Sequence, residues 1–327
     1  IFGQFSVTTA WNTSADAPSL TTGRVHHLPP YLHTAGVERS VDLAAHLGSA
    51  PRRVRLTSRE QHALVDLARG VLATLQRETD PVTHVHVPET ELYDMGRGLG
   101  IALFAMKPDM KMALQSYIGF LVVKNGVPCA YGGGWILDDE SFFGANVFPP
   151  FRGGESVRIV ADLLRCYRHA FGVRAFCVDP YQIGYGNPDG IRSRSFWFYY
   201  RLGFRPLERD LARGARAEFA RMRGDATYRT DERTLKSLAQ ATMRWVVPDA
   251  SAGRSPSTMP ITADRVGDLV TAFVRDQYDG DRQRALNAAL RLLHRRTGHR
   301  FTPRHPVARV AVVLHACGYL DTATPHA

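Results

Sequence analysis

Cysteine is scarce, with four in 327 residues at positions 129, 166, 177 and 317, and they show neither a CxxC pair nor a His-Cys spacing. A zinc ribbon and a disulfide scaffold are excluded, and each thiol sits in an apolar run, as a small buried residue in a reducing compartment does. Long hydrophobic runs are also lacking. Stretches such as Gly119–Val123 and Val310–Leu314 fall far below the roughly 20 residues that cross a bilayer, so no membrane span is expected. The 13 histidines include His84/His86 and His294/His299 but no HExxH and no pair with a carboxylate at ligand spacing, so no metal is expected. No basic-then-apolar leader opens the chain, which begins at Ile1 rather than Met. The expectation is a cytoplasmic protein whose sequence is cut from a longer one.

What is present is an ordinary globular composition, 44% hydrophobic and 22% charged, over a length that suits one large domain or two smaller ones. The net charge of +10 favours anionic partners. Its placement says more than its size. Residues 1–200 hold 19 basic and 18 acidic side chains, residues 201–310 hold 22 and 12, and residues 311–327 hold none and one. Arginine supplies 37 of the 41 basic residues, as a GC-rich genome would give, yet such a bias does not confine the excess to one third of the chain. Either a solvated face or a docking surface for a polyanion fits residues 201–310.

Periodicity divides the chain into three stretches. Residues 1–56 show turn formers at Thr13–Pro18 and Pro29–Pro30 and one short helical pattern near Val41–Leu47, an N-terminal arm. Residues 57–207 form the α/β domain. It opens at Thr57-Ser58-Arg59-Glu60, a capping box before Leu64, Leu67, Val71, Leu72 and Leu75 at helical spacing. Strands are expected at Gly100–Met106 and Tyr117–Lys124. Asn125-Gly126 is a hairpin turn into Val127–Leu137, and Asp138-Asp139-Glu140 turns into Ser141–Phe148. A helix from Val157 to Gly172, a strand Arg174–Val178, a loop Asp179–Gly190, a helix Arg192–Leu202 and a short strand at Phe204–Pro206 follow. From 208 to 327 the pattern is helical, over Arg213–Arg223, Asp231–Trp245, Ala263–Tyr278, Asp281–Arg296 and Val307–Cys317, with a linker at Pro248–Pro260. The fold class expected is mixed α/β, mainly antiparallel, with a basic helical C-terminal extension.

Two segments carry a family resemblance over Ile101–Pro206. Val147-Phe148-Pro149-Pro150-Phe151-Arg152-Gly153-Gly154 resembles the strand, proline and Arg-Gly turn that lead into the donor-binding helix of the GNAT superfamily of acyltransferases. Phe198-Tyr199-Tyr200-Arg201-Leu202-Gly203-Phe204 resembles its Tyr-x-x-x-Gly-Phe segment. The resemblance implies a GNAT-like sheet and an N-acyltransferase that moves an acyl or aminoacyl group to an amine acceptor. It implies a donor site at Phe148, Arg152, Gly153, Gly154, Glu155 and Ser156, where a helix N-terminus suits a pyrophosphate. Val147 would steady the oxyanion through its N–H, and Tyr199 would protonate the leaving group. Without the resemblance, Tyr199 is simply a core aromatic beside Phe196, Trp197 and Phe198.

The family's small positions after Arg152 are held here by Glu155 and Val157. A carboxylate there repels phosphate, and it also suits a helix N-terminus, where it would replace the anion. Gly153 and Gly154 offer a shifted cradle. The donor is therefore left among acyl-CoA, an acyl carrier protein and an aminoacyl-tRNA, the last two using residues 201–310. Tyr181, Gln182 and Asn187, on the loop after the strand Arg174–Val178, are candidate substrate contacts. Glu140, Asp179, Asp189 and Glu155 are candidate general bases. The different reading is a non-catalytic GNAT-like module that binds a ligand or partner.

Overall fold

Thr57 and Glu60 set the start of the first long helix. In the computed structural model, which describes residues 25, 28–34, 40–112, 114–248, 260 and 262–322, the Glu60 N–H donates to the Thr57 hydroxyl at 3.4 Å and the Thr57 N–H to the Glu60 carboxylate at 2.6 Å. The expected turns at Thr13–Pro18 and most of the linker Pro248–Pro260 lie outside the described residues. Nine strands are found among them: β1 (Arg52–Val54), β2 (Glu91–Gly96), β3 (Leu99–Ala105), β4 (Ser116–Lys124), β5 (Val127–Leu137), β6 (Glu140–Val147), β7 (Ala175–Val178), β8 (Arg205–Pro206) and β9 (Met243–Val246). They form one sheet in the order β1-β2-β3-β4-β5-β6-β7-β9-β8, antiparallel throughout except for the parallel pair β6·β7.

The helices are α1 (Leu43–His46), α2 (Ser58–Thr74), α3 (Asp80–Thr83), α4 (Ser156–Phe171), α5 (Pro180–Ile183), α6 (Pro188–Arg192), α7 (Ser195–Arg201), α8 (Arg209–Gly224), α9 (Glu232–Leu238), α10 (Ala263–Tyr278), α11 (Arg282–Thr297), α12 (Pro306–Ala316) and α13 (Tyr319–Thr322). Side chains alternate across a strand, and here both faces of the sheet are covered. Leu64, Val65, Ala68 and Leu72 of α2 join Ala102, Phe104, Leu121 and Val123 in one core. On the other side, Ile159, Leu163 and Tyr167 of α4 and Trp197 and Tyr200 of α7 join Ile101, Leu103, Phe120 and Val122. Double coverage explains why the strands read as continuous apolar runs.

The chain divides into two compact units, Ile1–Met112 with Ser116–Met259, and Pro260–Ala327 with Ala113–Gln115. The helical region expected from 208 to 327 is thus shared between them. In the second unit α10 to α13 enclose a small core that includes Ala289, Leu290, Leu293 and Leu320.

Three expectations need correction. The helix over Asp231–Trp245 stops at Leu238, and Met243–Val246 becomes β9, wedged between β7 and β8. Good helix formers lose there to a tertiary partner, because the Arg244 guanidinium donates to the buried Glu140 carboxylate at 2.7 Å. The helix Arg192–Leu202 is broken at Arg194, which stands in the left-handed region at φ 55°. The N-terminal arm supplies the edge strand β1 and, through α1, a hydrogen bond of 2.8 Å between His46 and the buried Asp162 of α4.

Candidate functional site

Parallel strands β6 and β7 pair over only three residues, Glu140–Phe142 with Ala175–Cys177. Beyond them β6 continues to Val147, paired with β5 on one side and, among the described residues, with no strand on the other. Phe142 to Val147 line a cavity of about 1080 Å³ in that gap. Pairs in an antiparallel ladder alternate between hydrogen-bonded and non-bonded. The Phe148 N–H donates to the Cys129 carbonyl at 2.9 Å, so the next pair, Ala130 with Val147, is of the non-bonded kind. The Val147 N–H and C=O therefore face the open side, and there the carbonyl accepts from Arg152 Nε at 2.9 Å.

Tyr199 lines this cavity on α7. Burial, and then the negative charge of Asp179, hold its phenol well above the ordinary tyrosine range, so it carries its proton at neutral pH. Phe143, Phe198 and Phe204 surround its ring edge to face. Tyr200 faces elsewhere, stacked on Phe196 with the Arg205 guanidinium 4.1 Å above its ring.

At the turn before α4, Arg152, Gly153 and Ser156 line the cavity, while Gly154 and Glu155 do not. The Arg152 N–H is spent on the Pro149 carbonyl at 3.3 Å. Glu155 does not cap α4, contrary to the expectation from its position. Its carboxylate accepts instead from Lys124 Nζ at 3.0 Å and lies 2.7 Å from His33 Nε2, groups that the sequence gives no reason to place there. Phe148 is a core residue, 1% exposed and stacked on Tyr131.

The segment Asp179–Gly190 is not an open loop. Asp179 accepts from the N–H groups of Tyr181 and Gln182 to start α5, and Asn187 accepts from Gly190 to start α6. Tyr181, Gln182 and Asn187 all line the cavity. The Gln182 amide lies against Gly144, where a Cβ on the glycine would stand 2.6 Å from its nitrogen. Of the candidate bases, Glu140 is excluded from that role: it is buried, paired with Arg244, and accepts from the Cys177 thiol at 3.0 Å. Asp179 and Asp189 line the cavity, the second paired with Arg192.

Sequence reasoning missed a whole wall. Glu78 and Asp80, around the start of α3, line the cavity with Tyr117 of β4 and Tyr131 and Trp135 of β5. Tyr131 donates to Glu78. The Tyr117 ring lies 4.9 Å from that of Trp135, and burial, with Asp80 and Glu78 adding to it, pushes its phenol up to about 12. The Pro81 in this stretch packs on Gly119 of β4, where a Cβ would stand 2.4 Å from the Pro81 carbonyl oxygen. The only available signal was Glu78-Thr79-Asp80-Pro81 itself, two acids around a helix start after a helix end, which has no periodicity to mark it.

Among the described residues no group of three His, Cys, Asp or Glu is placed to hold a metal ion, and no helix is long and apolar enough to cross a membrane. No family model, no curated protein and no solved structure matches the chain.

Proposed function

We propose that the chain is an N-acyltransferase of the GNAT kind, transferring an acyl or aminoacyl group from an activated ester to an amine. The observation that carries this reading is the unpaired run of β6, whose Val147 N–H faces a cavity also lined by a protonated tyrosine. An amine attacking an ester or thioester carbonyl makes an oxyanion and a leaving group that needs a proton. The Val147 N–H donates to the first, and the Tyr199 hydroxyl protonates the second. The two carboxylates Glu78 and Asp80 beside the rings of Tyr117 and Trp135 suit a cationic acceptor, held by charge and by ring faces before it loses its proton.

The test is product analysis by mass spectrometry after incubation with an acyl-CoA, an acylated carrier protein or a charged tRNA, with a polyamine as acceptor. Amide product is expected from one donor, and Tyr199→Phe lowers turnover by about 10²–10⁴. Since burial keeps this phenol protonated, the rate shows no loss from its ionisation below pH of about 10. No amide from any donor, or an unchanged rate constant in the variant, overturns the reading.

A further inference from the structure

A smaller cavity of about 410 Å³ lies beside α7, and four arginines line it: Arg194, Arg201, Arg223 and Arg229. Among the described residues no acidic side chain lines this cavity. Nearby arginines of α8 are matched locally, Arg213 with Asp210 and Arg221 with Glu218, whereas Arg194, Arg201 and Arg223 have no carboxylate within ion-pair distance among the described residues. Arg229 spends Nη1 on the carbonyls of Ala226 and Tyr228 and has the Asp225 carboxylate close enough to feel its charge, so the uncompensated cations are Arg194, Arg201 and Arg223. Cations gathered without a counter-charge repel one another unless an anion joins them.

The walls carry unmet donors. Trp197 lines the cavity and is 1% exposed, and among the described residues its indole N–H has no acceptor. Nη1 of Arg194 is buried and equally without an acceptor. Buried donors in folded proteins are nearly always paired, so two beside one basic cavity mark a place built for an acceptor from outside the chain. The remaining wall is aromatic. Phe219 stacks on Trp197 with ring centroids 5.9 Å apart, and Tyr228 is fixed by its hydroxyl on Glu218 at 2.8 Å and by Arg221 against its ring at 4.3 Å. Its phenol is committed, so it offers ring surface rather than acid chemistry. Guanidinium groups recognise phosphate in bidentate fashion, and flat rings stack on aromatic and guanidinium planes. The volume falls within the range of small-ligand sites.

We infer that this cavity is a nucleotide site, holding the phosphate on Arg194, Arg201 and Arg223 and the base against Phe219 and Tyr228. Arg194 and Arg201 also line the large cavity that holds Tyr199, so the two spaces share a wall. On the acyl-transfer reading, on which this role rests, the nucleotide end of the donor is gripped at α7–α8 and not at the turn before α4, where Glu155 stands.

Titration calorimetry of the full chain with AMP, ribose 5-phosphate and adenosine tests the site without any turnover. AMP is expected to bind most tightly, ribose 5-phosphate more weakly, adenosine hardly at all, and AMP affinity falls as salt rises. Arg201→Ala and Arg223→Ala each weaken AMP by about tenfold or more, the scale of a hydrogen bond to a charged group. Both side chains are exposed, so both variants keep the fold, which their melting curves check. Arg213→Ala, paired outside the cavity, leaves AMP binding unchanged. Displacement of AMP by coenzyme A or by a short oligoribonucleotide then assigns the source of the nucleotide. No AMP binding at millimolar concentration, binding indifferent to Arg201 and Arg223, or adenosine binding as well as AMP overturns the site. AMP binding that survives a failure to form any amide would instead overturn the acyl-transfer reading and leave the nucleotide site standing.

Discussion

Glu155 precedes α4 with its carboxylate half-buried against Lys124 and His33, and the Lys124 side chain is itself only 12% exposed. Removing that charge leaves an ammonium with the Arg97 carbonyl at 2.9 Å and a neighbouring imidazole as its other partners. Glu155→Gln should therefore destabilise the fold by about 1–3 kcal/mol, the scale of a hydrogen bond between charged groups weakened to a neutral one, and lower the melting temperature by a few degrees. Affinity for phosphate at this turn should not rise, because Arg152 N–H stays on Pro149 and Lys124 is anchored on β4. A thermal melt that does not move would refute the pairing. From the sequence, Glu155 could be recognised only as a carboxylate near a helix start. Its partners come from positions 31 and 122 residues away, and no local pattern encodes such a contact. Tyr199 is marked in the sequence only by the resemblance of its segment to a family motif, and the Phe204 of that segment packs on its ring in space. Glu140 was misjudged because its partner Arg244 lies 104 residues on.

Strand β5 shows what a run of glycines makes possible. Gly133 lies under Tyr117, and a Cβ there would stand 2.2 Å from the phenol oxygen and 2.4 Å from Cζ. Gly133→Ala should push the ring off β5 and away from Trp135, at an overpacking cost of about 1–3 kcal/mol. Val147 and Tyr199 lie on β6 and α7, so the expected kinetic effect is a raised KM for the acceptor with kcat little changed. A near-UV circular dichroism change should report the displaced aromatic pair. Steady-state kinetics in which kcat falls and KM does not would detach this wall from acceptor binding. Local chemistry predicted much of the architecture: the capping box of α2, the Asn125-Gly126 hairpin with both residues at positive φ, and the glycine that ends α4 in the left-handed region. It missed β1, β2 and β9. These are short strands whose burial comes from what they pair with, and a stretch such as Met243–Val246 has too few residues to show a period.

The basic excess of residues 201–310 looked like one surface in the sequence, but the chain divides within it. Residues 201–259 hold 12 basic and 7 acidic side chains and residues 260–310 hold 10 and 5, so each unit carries half of the excess. Composition shows charge along the chain and not the compact body to which it belongs. The two bodies differ more in their cores. The first buries large apolar side chains on both faces of its sheet, among them Phe104, Phe120, Phe176 and Trp197. Among the described residues the second buries Val274, Ala285, Ala289, Leu290, Leu293, Ala308, Ala311 and Leu320, and four of these eight are alanine. Stabilisation scales with apolar area removed from water, at about 25 cal/mol per Å², and a helical unit of this size with so little of it is marginal. Native-state hydrogen exchange should show the consequence. Amides of α10, α11 and α12 should exchange through an opening of lower free energy than those of β3, β4, β5 and α4, with the difference persisting when denaturant is raised. Equal protection of α11 and β4, lost together at one denaturant concentration, would mean that the whole chain opens as a single cooperative body and that the small core draws its stability from outside itself.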